Sequence, residues 1–121
     1  EIKHHTVQGG SNIIKLRGRS SFQSPAYNAV KMIEAAMGGE KFTLPAGCYV
    51  NCDKCGFKNV MMAMPTTIDK TGVHFTEPTG TEEELASLAK SYEHLCKMRD
   101  EIVELGIVPP VAEWKEMNPN L

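Results

Sequence analysis

The stretch KFTLPAGCYVNCDKCGFKNVMMAMPTTIDKTGVHFT, residues 41–76, decides the fold class. It is rich in apolar and β-branched residues, and it carries turn-forming residues at 53–56 and 69–72. This combination is typical of antiparallel strands joined by short connections. The stretch predicts an antiparallel meander of three strands, at residues 41–51, 57–68 and 72–76.

Helical patterns precede this stretch. A loosely spaced apolar face predicts a helix from Glu1 to about Lys15. Ser24 followed by Pro25 is a start signal, in which the serine caps the helix and the proline suits its first turn, so a second helix is predicted over residues 25–37. Gly9 and Gly10 weaken the first helix, and we expect a closely packed neighbour there as the reason for them.

A third helix follows the strands. Thr81 and Glu84 have the spacing of a capping box and open an amphipathic pattern that runs to Gly106. The tail from residue 107 to 121 contains Trp114, which is large enough that we expect the tail to pack on this domain or on a neighbour. Helices on one side of an antiparallel sheet form an α+β layer, and this is the fold class we expect.

Composition narrows the function classes. The 121 residues fit a single domain. The net charge of −2 is close to neutral, and the basic cluster of Lys15, Arg17 and Arg19 lacks the interleaved aromatics of a nucleic-acid surface. Apolar runs fall well short of the roughly 20 residues needed to cross a bilayer. We therefore expect no nucleic-acid or membrane partner and a cytoplasmic location.

The cysteines allow several interpretations. Four in a chain of this length are too few for a disulfide-dense secreted scaffold, so we expect reduced thiols, with Cys48 packed in the sheet. The turn between Cys52 and Cys55 can present two thiolates to zinc, with Cys48 as a third ligand. The sequence has no second ligand pair, so the site would have to be completed by Cys96, by His94 or by another subunit. A redox pair is the least favoured interpretation, because such motifs usually open a helix.

The segment TVQGGSNIIKLRGRSS, residues 6–21, resembles the helix and serine turn in the second domain of malate dehydrogenases, which have a similar Gly-Gly, Ile-x-Lys and Gly-Arg-Ser-Ser order. PAYNAVKMIEAAM resembles the next helix of that domain, and LPAGCYV and GFKNVMMAMPTTIDKTGV resemble its first two strands. These motifs cover nearly the whole chain in the family order, which makes the resemblance specific. The run from Gly18 to Ser21 favours malate over lactate.

The resemblance implies that residues 1–121 form the carboxy-terminal substrate and dimerisation domain, with the α+β fold of that domain in the lactate/malate dehydrogenase family. The intact enzyme would convert malate to oxaloacetate, a step of the tricarboxylic acid cycle, by hydride transfer to NAD or NADP. Its partners would be its own amino-terminal Rossmann domain, a small dicarboxylate substrate and further copies of itself in a homodimer or homotetramer.

The catalytic parts of the family have no match in this chain. None of the four histidines is followed by Gly-Asp, and no G-x-G-x-x-G follows a strand. The first residue is Glu1 rather than Met, inside a predicted helix, so we expect the dinucleotide domain and catalytic loop to precede it. Hence we expect no catalytic residue, no cofactor and no turnover in the isolated chain, and the sequence does not identify cofactor-binding residues.

What the resemblance leaves here is a pocket wall formed by Ser20, Ser21 and Ser24. A hydroxyl in this turn can hydrogen-bond a carboxylate or carboxamide oxygen. The alternative is that Ser20 and Ser21 only lead into the helix and that Ser24 only caps it. Arg17 and Arg19 can steer an anionic substrate, or they belong to a solvated basic face or subunit contact.

The sequence also allows a second class of function, which is not enzymatic. In it the chain is a small zinc-binding or protein-interaction module that uses the Cys52 and Cys55 turn. About one zinc ion per chain would favour the module, and malate-dependent formation of NADH by the complete protein would favour the enzyme.

Overall fold

The computed structural model describes residues 2–119 and 121. Its elements are, in order, α1 (Ile2–Arg17), α2 (Gln23–Ala36), β1 (Ala46–Cys52), β2 (Phe57–Met64), β3 (Thr66–Asp69), β4 (Gly72–Phe75), α3 (Glu82–Glu104), a 3-10 turn (Val111–Glu113) and α4 (Trp114–Met117). Helices together with antiparallel strands confirm the predicted α+β fold class.

The chain forms two compact units by its internal contacts. The first, which we call the helical unit, extends to Phe42 and includes Ile68–Thr71. The second, the hairpin unit, comprises Thr43–Thr67 and the residues from Gly72 onward. The hydrophobic core described below belongs to the hairpin unit.

The hairpin unit is built on the antiparallel pair β1 and β2. Ala46 pairs with Met64 at one end, and the register continues to Val50 opposite Val60. Along β1, and along β2 from Val60 to Met64, buried residues alternate with more exposed ones, as the period of a strand requires. The buried residues of this cluster are Cys48, Val50, Phe57, Val60, Met62 and Met64. Helix α3 packs against β2 and contributes Leu88, Tyr92 and Leu95 to the same core.

An irregularity in β2 is held by side chains from its surroundings. Asn59 has a φ of +54°, in the left-handed region, and the register shifts nearby, between Val50 and Cys52. The Tyr49 hydroxyl donates to Asn59 Oδ1 at 2.6 Å, and Arg99 on α3 donates to the Asn59 carbonyl at 3.0 Å. Because the distorted backbone keeps its polar partners, the bulge is compatible with a packed core.

The predicted three-stranded meander is wrong in its strand count and sheet arrangement. In the described part of the chain, four strands form two sheets of two strands each, β1 with β2 and β3 with β4. Pro65 separates β2 from β3 because it has no N–H for the strand ladder. The predicted strand start at Lys41 is also wrong: Phe42 makes only an isolated bridge to Ile68, and the strand proper begins after Pro45.

The turn predicted after β3 is confirmed. The Asp69 carboxylate accepts hydrogen bonds from the hydroxyl and the backbone N–H of Thr71, and it pairs with Lys41 at 3.1 Å. These partners hold the pKa of Asp69 well below its usual range. The carboxylate therefore stays ionised at neutral pH and fixes the turn.

The capping box that was predicted for the long helix is present. The Glu84 backbone N–H donates to Thr81 Oγ1 at 3.3 Å, and the Thr81 N–H donates to Glu84 Oε2 at 2.8 Å. Gly106, with a φ of +68°, follows the end of α3.

The tail packs back on this domain as expected, since the Trp114 ring lies 6.4 Å from that of Tyr49 on β1. Within the tail, Trp114 Nε1 donates to the Pro109 carbonyl at 2.7 Å.

The first helix runs as predicted, although its predicted start at Glu1 lies outside the described residues. Gly9 and Gly10 lie within it, yet no described atom comes within 4 Å of a Cβ built on either glycine. The expected close neighbour is therefore not found among residues 2–119 and 121. Those same residues contain no helix with the length and apolar character needed to cross a membrane.

Candidate functional site at the serine turn

The connection between α1 and α2, residues 18–22, is the serine turn. Gly18 ends α1 with a φ of +71°, and its N–H donates to the Ile14 carbonyl at 2.8 Å. A left-handed residue after a helix is the usual role of glycine at this position. Ser20 is exposed and Ser21 is half-buried. No side-chain hydrogen bond of either serine is found in the part of the chain that the structure describes, so both hydroxyls are available to an external ligand.

Ser24 does not cap α2, and the predicted helix start was wrong. The helix begins at Gln23, the N-cap residue is Phe22, and no side chain caps it. The first backbone bond runs from the Ala26 N–H to the Phe22 carbonyl at 3.0 Å. Pro25 fits the third helical position because the N–H it lacks would have no partner inside the helix there. Ser24 is left exposed on the first turn.

Two arginines are gathered at the serine turn around a residue that the sequence did not single out. The guanidinium carbons of Arg17 and Arg19 lie 5.7 and 5.0 Å from the centre of the Phe22 ring. Arg17 also donates to Gln23 Oε1 at 3.2 Å. Cations over an aromatic face are held without losing their charge. The turn therefore combines positive charge with free hydroxyl groups, which suits an anionic ligand.

The apolar faces of the helical unit are uncovered. Helix α1 has no buried residue, and Ala35 is the buried residue of α2. Other apolar side chains of α2 are exposed, with 59% of Ile33 accessible to solvent. The exposed apolar residues of the two helices include Ile2, Val7, Leu16, Val30 and Met37. An apolar surface of this kind is typical of an interface.

The histidines do not form a catalytic or metal-binding cluster in the described residues. His4 and His5 are neighbours on α1, with ring centres 6.0 Å apart, whereas His74 lies on β4 and His94 on α3. Residues 2–119 and 121 contain no group of three His, Cys, Asp or Glu side chains that could hold a metal ion.

The expectation of reduced thiols is confirmed for Cys48, which is buried in the sheet as expected, and for Cys96, but it is wrong for Cys52 and Cys55. Cys48 and Cys96 are free, but Cys52 and Cys55 form a disulfide with their Cα atoms 5.7 Å apart. The alternative zinc set of Cys48, Cys52 and Cys55 is not brought together, because Cys52 lies four positions along the strand from Cys48, a distance of roughly 13 Å. The Cys48 sulfur lies in the core instead, 3.7 Å from the Met62 carbonyl.

Comparison with known proteins supports a family assignment. The model of the lactate/malate dehydrogenase α/β C-terminal domain matches residues 1–105. Among similar curated proteins are the malate dehydrogenase of Geobacillus kaustophilus, 35% identical over 76% of this chain and 30% of that protein, and that of Sorangium cellulosum, 34% identical over 71% and 28%. The malate dehydrogenase of Pelagibacter ubique is 37% identical over 69% of this chain and 26% of its own.

The chain thus spans less than a third of the length of the curated relatives it matches. The family match includes α1, the serine turn, α2, all four strands and α3. The chain belongs to the lactate/malate dehydrogenase family, and the part of the family that it matches is the carboxy-terminal α/β domain.

Proposed function

We propose that this chain is the substrate-side domain of an NAD- or NADP-dependent malate dehydrogenase. The observation that supports this most directly is the serine turn, where the Ser20 and Ser21 hydroxyls share a short connection with Arg19, next to Arg17 at the end of α1, within the segment matched by the family. A dicarboxylate substrate needs donors and positive charge of this kind.

In this proposal one wall of the pocket is formed by Ser20, Ser21 and Ser24. Ser24 is the second residue of α2. Their hydroxyls donate to an oxygen of the substrate carboxylate or of the cofactor carboxamide. Arg17 and Arg19 raise the local concentration of the anion. The nicotinamide, when bound, accepts the hydride from the substrate carbon. The residues of this chain orient the substrate and shield it from water on one side.

The rest of the complete enzyme supplies the remaining parts. The described residues hold no G-x-G-x-x-G cradle for a pyrophosphate, and none of the four histidines stands in a His-Gly-Asp sequence. We propose that an amino-terminal Rossmann domain provides the dinucleotide site, the base and the main substrate clamp. The uncovered apolar faces of α1 and α2 then pack against that domain and against a second subunit in a homodimer or homotetramer. The water-soluble dicarboxylate substrate suits a cytoplasmic enzyme of the tricarboxylic acid cycle.

The complete protein is expected to form NADH or NADPH from malate, followed by absorbance at 340 nm, with malate used in preference to lactate. The 121-residue chain alone is expected to give no turnover, because the base and the cofactor site are outside it. Failure of the complete protein to reduce either nucleotide would contradict the proposal. In that case one zinc ion per chain in elemental analysis would instead support the metal-binding or interaction module, which the bond between Cys52 and Cys55 disfavours in the present structure.

The Ser21→Ala substitution in the complete protein is expected to lower kcat/KM for malate about 10- to 150-fold. A hydrogen bond to a charged group is worth about 1.5–3 kcal/mol, and each 1.4 kcal/mol corresponds to about a factor of ten. Steady-state kinetics measures the loss. Ser87→Ala, an exposed serine on α3, is the matched control and should leave kcat/KM unchanged. Equal kinetics of Ser21→Ala and the control would remove Ser21 from the pocket.

A further inference from the structure

The turn of the β1–β2 hairpin contains a disulfide that the proposed dehydrogenase reaction does not use. Cys52 is the last residue of β1, and Cys55 follows three residues later. Their Cα separation of 5.7 Å lies in the ordinary range for a disulfide. The intervening turn is closed by a bond from the Gly56 N–H to the Asp53 carbonyl at 3.3 Å. The backbone of this turn therefore places the two sulfurs in bonding position.

One of the two cysteines, Cys55, borders a cleft that is open to solvent. Both cysteines are half-buried rather than enclosed. Cys55 lies in the wall of an open cleft of about 310 Å³, which is lined by Phe57, Pro78, Leu85, Leu88 and Ala89 together with Lys54 and Glu77. Lys54 and Glu77 approach within 3.8 Å at the edge of this cleft, and an ion pair as exposed as this one is weak. A reagent can therefore reach Cys55 without unfolding of the hairpin.

The oxidation state of this pair is linked to the packing of α3. Cys52 stands opposite Phe57 in the strand register, and both cysteines pack against the buried core. The Phe57 ring lies 4.7 Å from that of Tyr92 on α3, and the Tyr92 hydroxyl accepts from the Lys58 N–H at 3.1 Å. A change at the turn therefore acts on the first residues of β2 and, through them, on α3.

We propose that Cys52 and Cys55 form a reversible thiol–disulfide centre, reduced by a dithiol that enters the cleft beside Cys55. One thiolate of the dithiol attacks Cys55 Sγ, the sulfur–sulfur bond breaks, and its electron pair passes to Cys52 Sγ, which takes up a proton. The second thiol of the reagent then attacks the mixed disulfide and releases the Cys55 thiol. The protein disulfide gains two electrons and two protons, and the dithiol becomes a cyclic disulfide.

The local hydrogen bonding supports this direction of attack. The Cys55 backbone N–H donates toward Cys52 Sγ at 3.3 Å. A donor at this sulfur stabilises the negative charge that develops on it as it leaves. Cys55 borders the cleft and the Cys52 sulfur has the donor, so Cys55 is the sulfur that is attacked and Cys52 is the sulfur that leaves.

The test uses the complete protein, equilibrated with mixtures of reduced and oxidised dithiothreitol, alkylated and mapped by peptide mass spectrometry. The peptide containing both cysteines is expected to change from no alkyl group to two in one two-electron step. The dithiothreitol ratio at which this step occurs should be the same whether the protein starts oxidised or reduced. Hydrogen exchange of the peptides at residues 53–58 and 85–92 should rise in the reduced state. The readout does not involve turnover, so its result is independent of the proposed enzyme activity.

Cys96→Ser is the matched control, because Cys96 is a free half-buried cysteine on α3 and the two-electron step should persist without it. Cys52→Ser should abolish the step and leave Cys55 alkylated in every mixture. Two alkyl groups under all conditions would overturn the proposal, since no disulfide would then form. Resistance to reduction at every dithiothreitol ratio, or protection by bound zinc, would overturn it as well.

Discussion

Replacement of Met64 by alanine is expected to lower the free energy of unfolding by about 2–5 kcal/mol. Met64 is 1% exposed, pairs with Ala46 at one end of the β1–β2 register and belongs to the core cluster beneath α3. Truncation removes buried apolar atoms and leaves a cavity that the surrounding strands fill only in part. Urea denaturation of the chain, followed by far-ultraviolet circular dichroism, measures the change.

Met61 provides the matched control on the same strand. It is the same residue type, but it points to the opposite face and is 61% exposed. Met61→Ala is therefore expected to change the free energy of unfolding by no more than about 0.5 kcal/mol. If the two substitutions destabilised the chain equally, the assignment of the inward face of β2 would be wrong.

An aspartate in place of Ile33 is expected to weaken assembly of the complete enzyme by at least about 100-fold and to abolish most of its activity. Ile33 lies in the uncovered apolar face of α2, which we propose to be covered by another domain or subunit in the complete protein. Burial of an unpaired carboxylate costs several kcal/mol, and about 2.7 kcal/mol already corresponds to a factor of 100. Sedimentation and steady-state kinetics of the complete protein measure the two effects.

The isolated chain separates this effect from simple unfolding. Because Ile33 is 59% exposed there, Ile33→Asp should leave the urea midpoint of the chain nearly unchanged. Ile33→Ala in the complete protein keeps the surface apolar and should cause a much smaller loss. A fully assembled and active Ile33→Asp enzyme would show that this face of α2 stays in water.

Local sequence signals predicted the elements whose causes are themselves local. Thr81 and Glu84 cap α3 because both partners lie within one turn of helix. Asp69 shapes the β3–β4 turn through Thr71, two residues away. The alternation of buried and exposed residues from Val60 to Met64 on β2 likewise follows from the two-residue period of a strand. The serine turn was found by its order of motifs, and the family match includes it.

The predictions that were wrong placed the start of a helix or the end of a strand at the wrong residue. Ser24 looked like a cap beside Pro25, but the helix begins at Gln23 and extends through the proline. Pro65 was read as part of one strand, although its missing N–H divides that strand from β3. No local pattern singles out Phe22, yet the guanidinium groups of two arginines lie over its ring.

By itself, the sequence determined the α+β class, the family and the long capped helix, because residue periodicity, short-range capping and ordered motifs are contained in the order of the amino acids. Only the tertiary structure decided that Cys52 and Cys55 bond to each other, and that among the described residues apolar side chains of α2 such as Ile33 stay exposed. The physical reason is that bonding and burial depend on the distance between atoms in space, and that distance is set by how the hairpin bends and which surfaces meet.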